Sequence, residues 1–142
     1  MPPSDRFKPI QKLNSQRERN AASQLGKSLT TRDDARRKLD DLKEYLAEYR
    51  ERYAAAVSAG LPGAQVREYQ MFITKLENAI VQQQQIVSDS ERRCDSSKQD
   101  WRGRYSKQKA MDNAVDRMRL NERKNRDKQE QSEADERSQR KR

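Results

Sequence analysis

The sequence predicts an all-α fold: two long helices folded back on each other as an antiparallel coiled-coil hairpin. Three observations predict it. A rhythm with steps of three and four runs from Val66 through Tyr69, Ile73, Leu76, Ile80, Gln83, Val87, Ser90, Cys94, Ser97, Trp101, Arg104, Gln108, Met111 and Val115 to Met118. A shorter one runs from Leu39 through Leu42, Leu46, Tyr49 and Tyr53 to Ala56. Between them lies Gly60-Leu61-Pro62-Gly63, a break with room only for a turn. Steps of three and four place residues on one helix face, and a sustained seven-residue period gives a left-handed seam. Two such helices joined by a short turn bury their stripes against each other.

The elements follow in order. Met1 to Lys8 is a short lead containing Pro2 and Pro3, and the first helix starts between Asp5 and Pro9, because proline is tolerated in the opening turn. Ile10, Leu13, Leu25 and Leu29 form an apolar but irregular stripe, and Gly26 weakens the helix by about 1 kcal/mol relative to alanine. With Thr30 and Thr31 ahead of Asp33 and Asp34, the helix is expected to be loose or bent near 26–31. Gly60 stands where a left-handed C-cap belongs, and Pro62 prevents continuation. The whole of 1–142 reads as one hairpin: helix one about 6–58, a turn at 59–63, helix two about 64–130, and a frayed basic tail at 131–142. At a rise of about 1.5 Å per residue the helices span roughly 75 and 100 Å, so the second overhangs. Beyond Leu120 the only apolar residue is Ala134, which leaves the tail nothing to bury.

Composition agrees. In 142 residues 31% are apolar and 39% charged, the profile of solvated helices with a narrow seam rather than of a two-layer globule. The formal net charge of +9 favours acidic partners, although charges of both signs are interspersed along the helices. The single cysteine, Cys94, sits on the seam as a structural thiol and makes no internal disulfide. No stretch is apolar enough to span a bilayer and no secretion signal opens the chain, so a soluble, cytoplasmic protein is expected.

The residues offer no catalytic constellation. Histidine is absent, which removes the usual general base and the commonest metal ligand, and one cysteine does not make a zinc site. The glycine turn lacks the Lys-Ser/Thr of a phosphate cradle. No enzyme activity, metal or cofactor is therefore expected.

Two surfaces stand out instead. Near the turn, a second stripe of Phe72, Leu76, Ala79 and Gln83 lies beside the seam, matched on the first helix by Lys38, Leu42, Tyr45 and Tyr49. Phe72 and Tyr45 fall outside the seam, where aromatic residues either widen the core or meet a partner. The terminal halves are the basic parts: Arg17, Arg19, Lys27, Arg32, Arg36, Arg37 and Lys38 lie on the first helix, and Arg117, Arg119, Arg123, Lys124, Arg126 and Lys128 lie on the second, near the same end of the hairpin. The seam itself turns polar from Ser90 to Gln108, either as register-fixing layers or because that end docks into something else.

Read together, several segments resemble the flagellar export protein FliJ family of the bacterial type III secretion system, along essentially the whole length. They are Phe7 to Leu13, Leu42 to Tyr53, the glycine turn, Tyr69 to Ile80 followed by Gln82 to Gln85, Arg93, Trp101, Lys109 to Met111 and Glu133 to Glu136. The resemblance implies a non-enzymatic stalk, like the two-helix stalk of a rotary ATPase, for protein export, flagellum biogenesis and motility. It implies three partners: a hexameric export ATPase, the cytoplasmic domain of the export gate, and export chaperones. Localisation would be cytoplasmic and peripheral, at the inner-membrane base of the flagellum. Ring contact falls to the terminal end, through Ile10, Leu13, Arg17, Arg117, Met118, Arg119, Arg123 and Lys124. Gate contact falls to Leu42, Tyr45, Tyr49, Phe72, Leu76, Ala79 and Gln83. No nucleic acid is expected on this reading. From the residues alone, a basic helical nucleic-acid binder and a generic coiled-coil scaffold stay open, as does an injectisome in place of the flagellum.

Overall fold

A computed structural model describes residues 2–141; Met1 and Arg142, the outer ends of the expected lead and tail, lie outside the described residues. A short 3-10 helix, Pro3–Phe7, leads into α1, Lys8–Ser58, and a turn connects it to α2, Gly63–Arg140. The two long helices form an antiparallel helical hairpin, with no strand among the described residues.

Local chemistry explains the ends. Pro9 occupies the first turn of α1, where its missing N–H has no intrahelical partner to lose. At the other end the Ala59 amide donates to Ala55 O at 3.1 Å and the Gly60 amide to Val57 O at 3.1 Å. Gly60 then turns the chain with φ at 87°, a left-handed conformation that a Cβ would strain. The Pro62 carbonyl accepts from the amides of Gln65 and Val66 at 3.0 and 3.1 Å and so starts α2.

α1 is continuous helix through 26–31. Thr30 folds its hydroxyl back onto Gly26 O at 3.1 Å, so the hydroxyl bonds within the helix instead of interrupting it. A Cβ at Gly26 would meet nothing within 4 Å. Gly26→Ala is therefore expected to stabilise the protein by roughly 0.5–1 kcal/mol, visible as a raised Tm.

The chain divides into two compact units. One comprises Met1–Ala22 with Asp100–Arg142, the terminal unit; the other is Ser23–Gln99, the turn unit. In the turn unit the core is Leu46, Leu76 and Ile80, with Leu39, Leu42, Tyr49, Phe72 and Ile73 packed around it. Each fully buried aliphatic side chain contributes about 1.5–3 kcal/mol, so this cluster dominates the stability of the unit. Heptad letters hold across the pair, with Leu39, Leu46 and Ile80 at a and Leu42 and Leu76 at d. Arg36 to Glu91 and Arg50 to Glu77, at 3.0 and 2.9 Å, join facing e positions, while Tyr45 meets Phe72 across facing g positions. Further from the turn the side chains shrink. The hydroxyls of Ser28 and Ser97 share a hydrogen bond of 2.9 Å, and Arg32 reaches over Cys94, its Nη1 donating to Sγ at 3.8 Å. Cys94 is 1% exposed.

In the terminal unit the same period continues on α1 through the 3-10 turn, as Ser4, Phe7, Gln11, Asn14, Glu18 and Ala21, all buried or half-buried. Ile10 and Leu13, part of the expected apolar stripe, are instead 43% and 45% exposed, because they stand one residue off the seam. Polar side chains hold this seam together. The Ser4 amide and hydroxyl donate to the two carboxylate oxygens of Glu122 at 2.9 and 2.7 Å, and Gln11 Nε2 donates to Asp112 Oδ1 at 3.0 Å. Trp101 Nε1 donates to Glu18 Oε1 at 3.0 Å.

α2 stays helical to Arg140, past the boundary of about 130 expected from sequence, and every residue from Arg123 to Lys141 is exposed. Helix geometry needs no seam, because the backbone bonds close within the helix and Glu, Lys, Arg and Gln are good helix formers. Stability does need one, and an isolated helix of this kind is marginal in water. Backbone amides beyond Arg123 are accordingly expected to exchange on the timescale of an isolated helix in the free protein. Protection equal to that around Leu76 would contradict this.

Candidate functional site

The two residue sets singled out from sequence each fall within one unit. The turn-proximal set, Leu42, Tyr45, Tyr49, Phe72, Leu76, Ala79 and Gln83, lies in the turn unit. Its members play different parts. Leu76 is 7% exposed and belongs to the core, and Gln83, 4% exposed, sends Nε2 to the Ala35 carbonyl at 3.0 Å. A buried amide must be paired, and this one is paired within the hairpin. Both are therefore interior residues and not surface.

The aromatic members form a chain across the two helices. Tyr45 meets Phe72 edge-on at 6.1 Å, Phe72 lies 4.6 Å from Tyr49, Tyr49 lies 5.2 Å from Tyr69, and Tyr69 lies 5.5 Å from Tyr53. Such pairs contribute about 0.5–1.5 kcal/mol each beyond area burial. Burial raises the pKa of the Tyr49 phenol above its ordinary value, and the neighbouring Tyr69 adds to the effect. Phe72 thus widens the core, as does Tyr49, while Tyr45 at 41% exposure keeps a face toward solvent. The accessible part of the stripe is Tyr45, flanked by the half-buried Leu42, Phe72 and Ala79.

The terminal set separates by register onto two flanks. Ile10 and Arg17 occupy g positions and Leu13 a c position of α1; Arg117 and Lys124 occupy c positions of α2. Because g faces g in this antiparallel pair, these five share one flank, with two exposed apolar side chains among three cations. Arg119, at e, and Arg123, at b, take the opposite flank, where they line a cleft with Pro2, Ser4, Asp5, Glu122 and Arg126. Met118 is a seam residue, half-buried between the helices. None of Arg17, Arg117, Arg119, Arg123 and Lys124 takes part in an ion pair among the described residues, whereas Asp5 is held by Lys8 and Glu122 by Ser4. Their charge is free to meet an external anion.

Arg126, part of the basic region but not of the expected ring-contact set, joins the cleft, and the polar α1 seam is what the sequence reading missed. The signal for the seam was present: stepping back from Leu39 by four and three reaches Ala35, Arg32, Ser28, Leu25, Ala21, Glu18, Asn14 and Gln11. Polar residue types hid it.

Among the described residues no group of three or more His, Cys, Asp or Glu side chains is placed to hold a metal ion, and no helix is long and apolar enough to cross a membrane. The accessible members of both sets lie on the flanks of paired helices.

Comparison with known proteins places this arrangement. The family whose model matches is described as "Flagellar FliJ protein", and the match spans residues 3–141, nearly the whole chain. No curated protein and no solved structure matches. With its order of segments, its helical hairpin and this match in agreement, the chain belongs to the flagellar FliJ family, a non-catalytic component of flagellar protein export.

Proposed function

We propose that this chain is a stalk and adaptor of the flagellar type III export apparatus. Its terminal unit enters the ring of the hexameric export ATPase and promotes ring assembly and turnover, its turn unit contacts the cytoplasmic domain of the export gate, and the chain also meets export chaperones. It works in the cytoplasm, peripheral to the inner-membrane base of the flagellum. The family match supports the export role. The observation that carries the ring contact is the set of cations in the terminal unit that have no ion-pair partner, beside the exposed Ile10 and Leu13. Desolvated by an acidic channel, such charges steer docking and set its register.

The test is co-purification with the export ATPase of the same organism, followed by ATPase assay with and without this chain. Co-purification with raised turnover is the expected result; unchanged turnover and no association overturn the reading.

Gate contact is tested at the exposed aromatic. Tyr45→Ala is expected to weaken binding to the gate domain about tenfold, the loss of roughly 1.4 kcal/mol at an aromatic anchor, with ATPase stimulation retained. Phe72→Ala is expected to weaken the fold as well, since Phe72 packs on the core. Full gate affinity in a folded Tyr45→Ala variant would leave the stripe as widened core only.

A further inference from the structure

The two units close their seams by different physics, and this has a dynamic consequence. In the turn unit both helices bring large apolar groups to the seam, with Leu46 and Leu76 each 7% exposed. In the terminal unit α2 brings Trp101, Met111, Val115 and Met118, with the half-buried Arg104 and Gln108 among them, but α1 answers with Gln11, Asn14 and Glu18. Asn14 is 4% exposed and its Nδ2 meets no hydrogen-bond acceptor of the protein. The other polar groups of this seam exchange their hydrogen bonds for water on opening at little net change, whereas Asn14 gains one. Little apolar area on α1 opposes the separation, since only Phe7 and Ala21 contribute to its side of the seam.

We propose that residues 2–22 form a releasable strap over the apolar seam of α2. The terminal unit opens while the turn unit stays zipped, and opening uncovers Trp101, Met111, Val115 and Met118. Local opening with a free energy well below that of global unfolding is expected where buried apolar contacts are few. The strap is a property of the free chain and does not depend on the proposed partners.

Static exposure and the strap predict opposite orders for thiol reactivity. Val115 is 1% exposed and Ile80 is 9% exposed, so a rigid hairpin would label position 80 first. In a Cys94→Ser background of the full chain, Val115→Cys and Ile80→Cys place single thiols at the two seams. Labelling at 115 is expected to be at least about tenfold faster than at 80 under native conditions, because local opening precedes global unfolding. Asn14→Leu, which removes the unpaired amide, is expected to slow labelling at 115 several-fold and to leave 80 unchanged. Circular dichroism checks that each variant keeps its helix content. Labelling at 115 equal to or slower than at 80 overturns the strap. So does an Asn14→Leu variant that leaves the rate at 115 unchanged or alters both sites equally. The single tryptophan provides a reading without substitution: Trp101 emission should shift to the red at lower urea than the loss of helical signal from the whole chain.

Discussion

Leu76→Ala is expected to destabilise the protein by about 2–5 kcal/mol, measured as a lowered urea midpoint. Leu76 sits between Leu46 and Ile80 in the core of the turn unit, 7% exposed, with the half-buried Phe72 and Ile73 close by. Truncation removes the transfer free energy of three carbons and leaves a cavity that the neighbouring side chains fill only in part. The loss is large against the total stability of a small domain, about 5–15 kcal/mol. The same truncation at Met71, 63% exposed on the outer face of α2, is expected to change stability by less than about 0.5 kcal/mol. Equal effects at the two positions would show that the seam in this unit is not what holds the hairpin.

Reversing Arg117, Arg119, Arg123 and Lys124 to glutamate is expected to lower ATPase stimulation at least about tenfold while leaving the hairpin folded. Three of the four are exposed, Arg119 is half-buried, and none is committed to an ion pair among the described residues. Their reversal therefore costs little stability and much external attraction. Stimulation by the unaltered chain should likewise fall as salt is raised, since exposed charges are screened over about 10 Å at 0.1 M. Because the four residues divide between flanks, two double reversals tell more than one quadruple. Arg117 with Lys124 tests the flank that carries Ile10 and Leu13, and Arg119 with Arg123 tests the cleft beside Asp5 and Arg126. Undiminished stimulation in both would remove electrostatics from the contact and leave Ile10 and Leu13 as the remaining candidates.

The functional assignment stands on the chain as a whole and not on any one motif. Each segment that matches the family is short, and coiled coils share a limited vocabulary of residues. The family match spans residues 3–141, nearly the whole chain. Partners that bind helix flanks need exposed side chains at heptad spacing, not a pocket.

Periodicity from Leu39 to Ala56 and from Val66 to Met118, with the break at Gly60–Gly63 between, determined the paired helices and their antiparallel sense. An apolar residue every three or four positions has one physical solution, and Gly60 with Pro62 leaves one place to reverse the chain. It also determined which α2 residues lie inside, since all sixteen seam positions from Val66 to Met118 are buried or half-buried. Only the tertiary structure decided how α1 completes the terminal unit. Gln11, Asn14 and Glu18 carry no hydrophobic signal, yet they are buried or half-buried against α2, where the Trp101 indole donates to Glu18. It also decided which members of each candidate surface are free. Phe72 and Tyr45 have the same heptad letter and similar side chains, yet Phe72 packs inward against Tyr49 while Tyr45 remains open to solvent on one face. Spacing reports which face of a helix a residue occupies; how far its side chain is covered depends on the size of what stands opposite, and that is a property of the pair.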